Sequence, residues 1–284
     1  MIHVENLHFT YRGNKQATLH GLNFAVANEE IFGFLGPSGA GKSTTQKILI
    51  GMLQNFQGKV TVGGQNMRGV GADLYETMGV AFETPNLYSK FTARENLEFF
   101  SKLYAGDTRA PDELLEKFSL LDAADTRVSD FSKGMKVRLN VCRSLLNKPT
   151  ILFLDEPTSG LDPVNLRRVL DVVREERRNG TTVCITTHDM HVADELCDRV
   201  AFIVDGQVDL IDSPRDLKLQ HGERRIDVEY KEDGALHQSS FPFEGLYQDQ
   251  HFQNLIAGGN IETIHSKEAS LEDVFVKTTG TKLT

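Results

Sequence analysis

GPSGAGKST, residues 36–44, decides how the rest of the chain is read. It fits G-x-x-x-x-G-K-[ST], a loop that joins a strand to a helix and wraps phosphate in backbone N–H groups. The flanks have the context this motif requires. EEIFGFL at residues 29–35 is an apolar run of strand length, and TTQKILIGML at residues 44–53 carries apolar residues at helical spacing. Gly36, Gly39 and Gly41 let the backbone curl so that successive N–H groups point inward. The positive end of the following helix adds to the pull on an anion. Pro37, Ser38 and Ala40 complete the loop, and Thr44 closes the motif. Lys42 can reach the terminal phosphates of ATP or GTP, and Ser43 can offer its hydroxyl to Mg²⁺. A plain glycine-rich turn would not need Lys-Ser-Thr at its end.

Around this loop, strands and helices alternate. IHVENLHFTY and LHGLNFAVA read as strands ahead of it, both with only partial alternation, and KVTVGG as a short strand after its helix. TILFLDE and TTVCITTH are continuous apolar runs of the kind found in buried parallel strands. Between and after them, KGMKVRLNVCRSLL, NLRRVLDVVREERRNG and MHVADELCDR read as helices, the second stopped by Gly180. VAFIVDGQVDLI reads as a hairpin with Asp205-Gly206 at its turn. This order predicts an α/β domain with a parallel sheet. Residues 84–148 interrupt it with mostly helical sequence, including a capping box from Thr92 to Glu95 ahead of ENLEFFSKLYA and the run PDELLEKFSLL. We expect a helical subdomain there, inserted into a nucleotide-binding core over residues 1–213. After Pro214 the texture changes. RRIDVEYKEDG, ALHQSSF, QDQHFQNLIA, IETIHSK and SLEDVFVKTT suggest a small α+β appendage over residues 214–284 with no motif of assignable chemistry.

The 284 residues are enough for one large domain and a small one, and the composition, 39% hydrophobic and 25% charged, is that of a globular chain. A net charge of −9 argues against a nucleic-acid partner, which is usually met by a basic face. Cys142, Cys184 and Cys197 are an odd number without paired spacing, which fits a reducing compartment. No stretch approaches the ~20 apolar residues of a membrane-spanning helix. We therefore expect a chain that is soluble by itself and held at a membrane only by another polypeptide.

Four further features carry chemistry. ILFLDEP at residues 151–157 delivers Asp155 to the carboxyl end of a strand, where it can hold Mg²⁺ beside the phosphate loop, and Glu156 follows, placed to polarise an attacking water. Two solvated turn acids are the bland alternative. FSKGMKVRL at residues 131–139 is, alone, only a capped helix start. SGLDP at residues 159–163 follows the acidic strand, and His188 ends TTVCITTH. His188, His191 and Glu195 have a spacing that imitates a metal face, but HVADEL is an ordinary polar helix face.

Taken in order, these motifs resemble the ATP-binding subunits of ABC transporters over residues 1–212. The resemblance implies a P-loop NTPase core of the ABC ATPase type. It makes GPSGAGKST the Walker A loop, ILFLDE the Walker B strand, Asp162 part of the D-loop and His188 the switch histidine. It makes Tyr11 the aromatic that stacks on adenine. FSKGM resembles the family signature, with Lys133 and Met135 departing from its usual LSGGQ form. S-K-G-M versions and the SLEDVF of the tail look typical of exporters whose permease is a separate polypeptide. The resemblance further implies a dimer with two ATP molecules in its interface, each on the Walker A loop of one subunit and covered by Ser132, Lys133, Gly134 and Met135 of the other. Glu156 would then be the general base, Lys42 and His188 would stabilise the transition state, and Ser43, Asp155 and Glu83 would face Mg²⁺. Glu83 stands where the family usually has glutamine and brings an extra negative charge, unless it points outward. After it, Leu87, Tyr88 and Phe91 offer either a docking surface for the permease or packing for the helical subdomain. The location implied is the cytoplasmic face of the membrane. ATPases acting on ribosomes or DNA, and a nucleotide sensor without turnover, are competing readings. The first usually carries paired domains or long coiled coils, and Glu156 and His188 argue against the second.

Overall fold

The computed structural model describes residues 1–232 and 234–281. Asp233 and residues 282–284, within the expected appendage, lie outside the described residues. The described residues divide into two compact units, Met1–Asp212 and 213–281.

The first unit opens with β1 (Ile2–Phe9) and β2 (Leu19–Val26), which pair antiparallel. β3 (Ile31–Leu35) leads through the phosphate loop into α1 (Lys42–Leu49). β4 (Gln57–Val62) and the two-residue β5 (Gln65–Asn66) complete a sheet ordered β2-β1-β4-β5. The short α2 (Ala72–Glu76) precedes β6 (Met78–Ala81). Three helices follow, α3 (Ala93–Ser101), α4 (Pro111–Lys117) and α5 (Lys133–Ser144). The chain then alternates through β7 (Ile151–Asp155), α6 (Pro163–Arg178), β8 (Thr182–Thr187), α7 (Met190–Leu196), β9 (Arg199–Val204) and β10 (Gln207–Asp212). The second sheet runs β10-β9-β3-β8-β7-β6, parallel throughout except for the β9–β10 hairpin. Every residue of β3, β7 and β8 is buried, as expected of a parallel sheet covered on both faces.

Local chemistry explains the boundaries. The partial alternation of β1 has a structural cause. Ile2 and Val4 are buried, then the register shifts at Asn6, whose φ is 49°, and Leu7 and Phe9 are buried in the opposite phase. A β-bulge thus keeps all four apolar residues on the core. Asp205 and Gly206 have φ of 47° and 72°, the two left-handed residues of a tight hairpin turn. Thr92 and Glu95 form both arms of the capping box. The helix it starts ends at Ser101, so the residues as far as Ala105 do not extend it, and the Ala105 N–H instead donates to Glu76.

Side chains of α5 tie the helical region to the segment that follows β6. Asn140 donates to the carbonyl of Phe82 at 2.7 Å, and Arg143 to those of Asn86 at 3.0 Å and Val80 at 3.3 Å. Arg109 grips Glu176 of α6 with two bonds of 2.6 Å, and Glu176 is fully buried. The same grip raises the proton affinity of Arg109. Replacing Arg109 by Ala strands a buried carboxylate, and we expect a loss of about 3–5 kcal/mol, read as a fall in the urea midpoint. An unchanged midpoint would mean that the pair does not hold the helical region.

The second unit begins with α8 (Pro214–His221), capped by Ser213. β11 (Arg225–Glu232) pairs antiparallel with β12 (Ala235–Pro242) and, on its other edge, with β13 (Ile261–Lys267). α9 (Gln250–Gly258) lies between β12 and β13 in sequence, and Phe252 and Leu255 from it pack on the buried Ile226, Val228, Tyr230 and Phe241. α10 (Leu271–Thr279) starts with a capping box between Ser270 and Asp273 and packs against α8. The unit is therefore α+β, attached to an α/β core.

Candidate functional site

The site is assembled at the carboxyl ends of β3, β7 and β8, where an open α/β sheet presents its loops. A side chain at Gly36 would drive into the carbonyl of Ile203, so the loop can leave β3 only with glycine there. Pro37 is half-buried, Ser38 and Gly39 are exposed at the crest, and Ala40 and Gly41 are buried again as α1 begins. The buried Lys42 donates to the carbonyls of Gly36 at 2.6 Å and Pro37 at 3.0 Å. Burial lowers its proton affinity, and the charges of Glu156, Asp155 and Glu83 oppose that shift. All three carboxylates therefore lie close enough to act on one ammonium group. Glu83 is exposed, yet its charge reaches Lys42.

Ser43 donates to Asp155 Oδ1 at 3.2 Å, and Thr186 makes a short hydrogen bond to the same oxygen. Asp155 is itself buried. One residue on, Glu156 takes a left-handed φ of 48°, an uncommon conformation for a residue with a side chain. There its Oε1 meets His188 Nδ1 at 2.8 Å, and its Oε2 accepts from Thr187 at 3.2 Å. The His188 side chain is 64% exposed and that of Glu156 only 11%. An exposed imidazole thus holds a shielded carboxylate in one orientation. Tyr11 is joined to Thr44 by a 3.1 Å hydrogen bond and lies edge-on to Phe9, which sets an aromatic ring beside the start of α1.

Two predicted groups lie apart from this cluster. Ser132 caps α5 by accepting the Met135 N–H at 3.2 Å, and Ser132 and Lys133 are exposed. Gly134 sits against Leu161, and the Lys133 stem runs past Gly160. The helix start and the SGLD segment are therefore neighbours. Asp162 caps α6, and the Asn165 side chain and the backbone N–H groups of Asn165 and Val164 hold its carboxyl below the usual range. Among the described residues, no hydrogen bond or ion pair joins Ser132, Lys133, Gly134 or Met135 to the phosphate loop. Glu195, from the spacing that imitates a metal face, is ion-paired with Arg174 at 2.7 Å.

Sequence reading did not single out Thr186 and Thr187, which hold the two acids. Their signal was the pair of hydroxyls just before His188, masked by the strand propensity of threonine. Phe99 and Phe100 were also missed. With Tyr88 and Phe91 they form one aromatic cluster, with ring centroids 4.9 Å apart for Tyr88–Phe99 and 5.3 Å for Tyr88–Phe91. Tyr88 is 47% and Phe91 37% exposed, whereas Leu87 is half-buried.

A phosphate loop, a paired acidic strand end, a histidine on the second acid and an inserted helical region together define an ATPase of the ABC class. Comparison with known proteins agrees. The family described as "ABC transporter" matches residues 19–159, and one described as "Fluoroquinolone efflux ABC transporter C-terminal domain" matches residues 224–268. A fluoroquinolones export ATP-binding protein of Mycobacterium tuberculosis is 51% identical over 100% of this chain and 95% of its own. A linearmycin resistance ATP-binding protein of Bacillus subtilis is 35% identical over 76% of this chain and 70% of its own. A solved dimeric ATP-binding cassette, in a post-hydrolysis state with ADP and Pi, superposes with a TM-score of 0.69 at 26% identity, covering 75% of this chain and 98% of that one. The chain belongs to the ATP-binding proteins of ABC transporters, and it is an ATP-hydrolysing subunit of that family. No helix among the described residues is long and apolar enough to cross a membrane.

Proposed function

We propose that this chain hydrolyses ATP in a dimer to power export of fluoroquinolone-like drugs through a separate permease, at the cytoplasmic face of the cell membrane. The observation that carries the reading is the Glu156–His188 pair beside Lys42, in a chain 51% identical throughout to a relative named for fluoroquinolone export. In this reading the N–H groups of the loop from Gly36 to Gly41 cradle the phosphates, and Tyr11 supports the adenine. Lys42 exchanges the two carbonyls it now holds for phosphate oxygens. The hydroxyl of Ser43 and the carboxylate of Asp155 are hard oxygen donors already within 3.2 Å of each other, a set that suits Mg²⁺, and Glu83 adds a third carboxylate nearby. When bound, Mg²⁺ neutralises charge on the phosphates. Glu156 takes the proton of the attacking water, and His188 fixes that carboxylate and adds charge stabilisation.

Ser132 and the start of α5 serve the nucleotide of a second subunit, which accounts for their distance from their own phosphate loop. Asp162 stands in the neighbouring D-loop. The exposed cluster of Tyr88, Phe91 and Phe99 is the docking surface for the permease. Asn140 and Arg143 bond this segment to α5, so closure at the start of α5 can be felt where the permease docks.

The test uses cells carrying this chain with its permease. Deleting the chain should raise drug accumulation, and Tyr88→Ala with Phe91→Asp should do the same while phosphate release by the purified chain stays within about twofold, because exposed residues contribute little to the fold. If both activities fall together, the aromatic cluster is structural rather than a docking surface.

A further inference from the structure

The second unit holds a groove of about 490 Å³, of a size that suits a drug-sized molecule. Its floor is the face of β11 opposite to Ile226, Val228 and Tyr230, and α10 forms a wall. This face is polar. Arg225 lies directly across from Lys267 of β13, and two residues further along, Asp227 lies across from Ser240 of β12 and His265 of β13. Like charges placed opposite one another weaken a sheet. Yet neither Arg225 nor Lys267 forms an ion pair among the described residues, and Arg225 spends only its Nε on Ser240, at 3.1 Å. The Asp227 carboxylate accepts no side-chain hydrogen bond there either. Glu223, Glu268 and Asp273 line the same groove: Lys277 is paired with Glu223 at 3.2 Å, and the Ser270 side chain, with help from the charge of Lys267, holds the Asp273 carboxyl below its usual range. Two cations and an acid on one concave face, none of them in an ion pair among the described residues, suit a ligand that carries both signs.

We propose that this groove binds a small amphoteric molecule, its carboxylate between Arg225 and Lys267 and its protonated amine at Asp227. A forked guanidinium and an ammonium around one carboxylate would turn the cross-strand repulsion into attraction. The proposal builds on the export reading above, because fluoroquinolones carry a carboxylate and a basic amine. The segment matched by the fluoroquinolone efflux C-terminal family, residues 224–268, contains Arg225, Asp227, Ser240 and Lys267. The ATPase subunit would thus carry its own sensor for the cargo, apart from the nucleotide.

The test is calorimetric titration of the full chain, free of nucleotide and permease, with ciprofloxacin. One saturable site is expected. Affinity should fall at least about tenfold in Arg225→Gln/Lys267→Gln and in Asp227→Asn, as for loss of charged hydrogen bonds. The methyl ester and the N-acetyl derivative of the drug should each bind as weakly to the wild-type chain. Arg225→Lys, which keeps the charge and loses the fork, should bind more weakly than the wild type but more tightly than Arg225→Gln/Lys267→Gln, and basal ATP hydrolysis should be unchanged in all these variants, which reports a folded chain. Absence of saturable binding, equal affinity in the variants, or equal affinity for the ester would overturn the proposal. A chain that binds the drug but does not affect its accumulation in cells would overturn the export reading and leave the groove standing.

Discussion

Glu156→Gln should bind ATP as the wild type does and lose about a thousandfold in turnover, within the range a general base contributes. The substitution suits the geometry. Glutamine keeps the size of the side chain, and its amide can still accept from Thr187 and bond to His188, the two partners that now orient the carboxylate at 3.2 and 2.8 Å. It cannot take a proton. The backbone at this residue is left-handed whichever of the two is present, so no new strain enters. Binding should be separate because the groups proposed to hold phosphate, Lys42 and the loop amides, lie at the start of α1 and in the loop between β3 and α1, while Glu156 follows β7. Single-turnover phosphate release and ATP-induced dimerisation on a sizing column read the two functions apart. The expected pattern is a dimer that persists with ATP and opens slowly. Hydrolysis at the wild-type rate would remove Glu156 from the role of base and leave the Walker B strand with a metal function alone.

How much of this was legible depended on whether the physics was local. The phosphate loop was, because a glycine where a strand turns into a helix and a lysine one residue after the last glycine have one geometric use. The hairpin at Asp205-Gly206 and the capping box at Thr92 were legible for the same reason: turn and cap chemistry act within four residues. What was lost was set by distant partners. Asn6 carries no mark of a bulge, since the bulge exists only to reconcile two phases of alternation against β2. Thr186 and Thr187 look like strand residues until the fold brings β7 beside β8 and turns their hydroxyls onto Asp155 and Glu156. ENLEFFSKLYA reads as an amphipathic helix, but which face its aromatics take is set only in the fold. Phe99 joins Tyr88 and Phe91 in an exposed cluster, and Ala93, Asn96 and Leu97 are the residues of this helix that are fully buried. In the appendage the strands were visible, but the cross-strand meeting of Arg225 and Lys267 was not, since forty-odd residues separate them in sequence and only register makes them neighbours.

The signature helix offers a sharper experiment than any single substitution. In one chain, Ser132 satisfies its own helix start by accepting the Met135 N–H, and among the described residues its side chain makes no other hydrogen bond. A purely structural cap would contribute about 1 kcal/mol to stability and nothing to catalysis. If instead Ser132 faces the nucleotide of a partner, damage to it and damage to Lys42 are carried by different composite sites. Lys42→Ala destroys the pocket on its own subunit, and Ser132→Arg blocks the pocket on the opposite subunit. Each homodimer should lose at least about a hundredfold in turnover, as when transition-state donors are removed. Mixed dimers hold one pocket with both defects and one with neither. Co-expression with two different affinity tags, followed by tandem purification, isolates them, and they should regain up to about half the wild-type rate, since one of two symmetric sites is intact. Recovery cannot occur if Ser132 acts within its own chain, because every pocket of the mixed dimer then carries a defect. A tandem-purified dimer as inactive as its parents, while still binding one ATP with wild-type affinity, would place the signature helix outside the partner's pocket and remove the reason for a shared nucleotide interface.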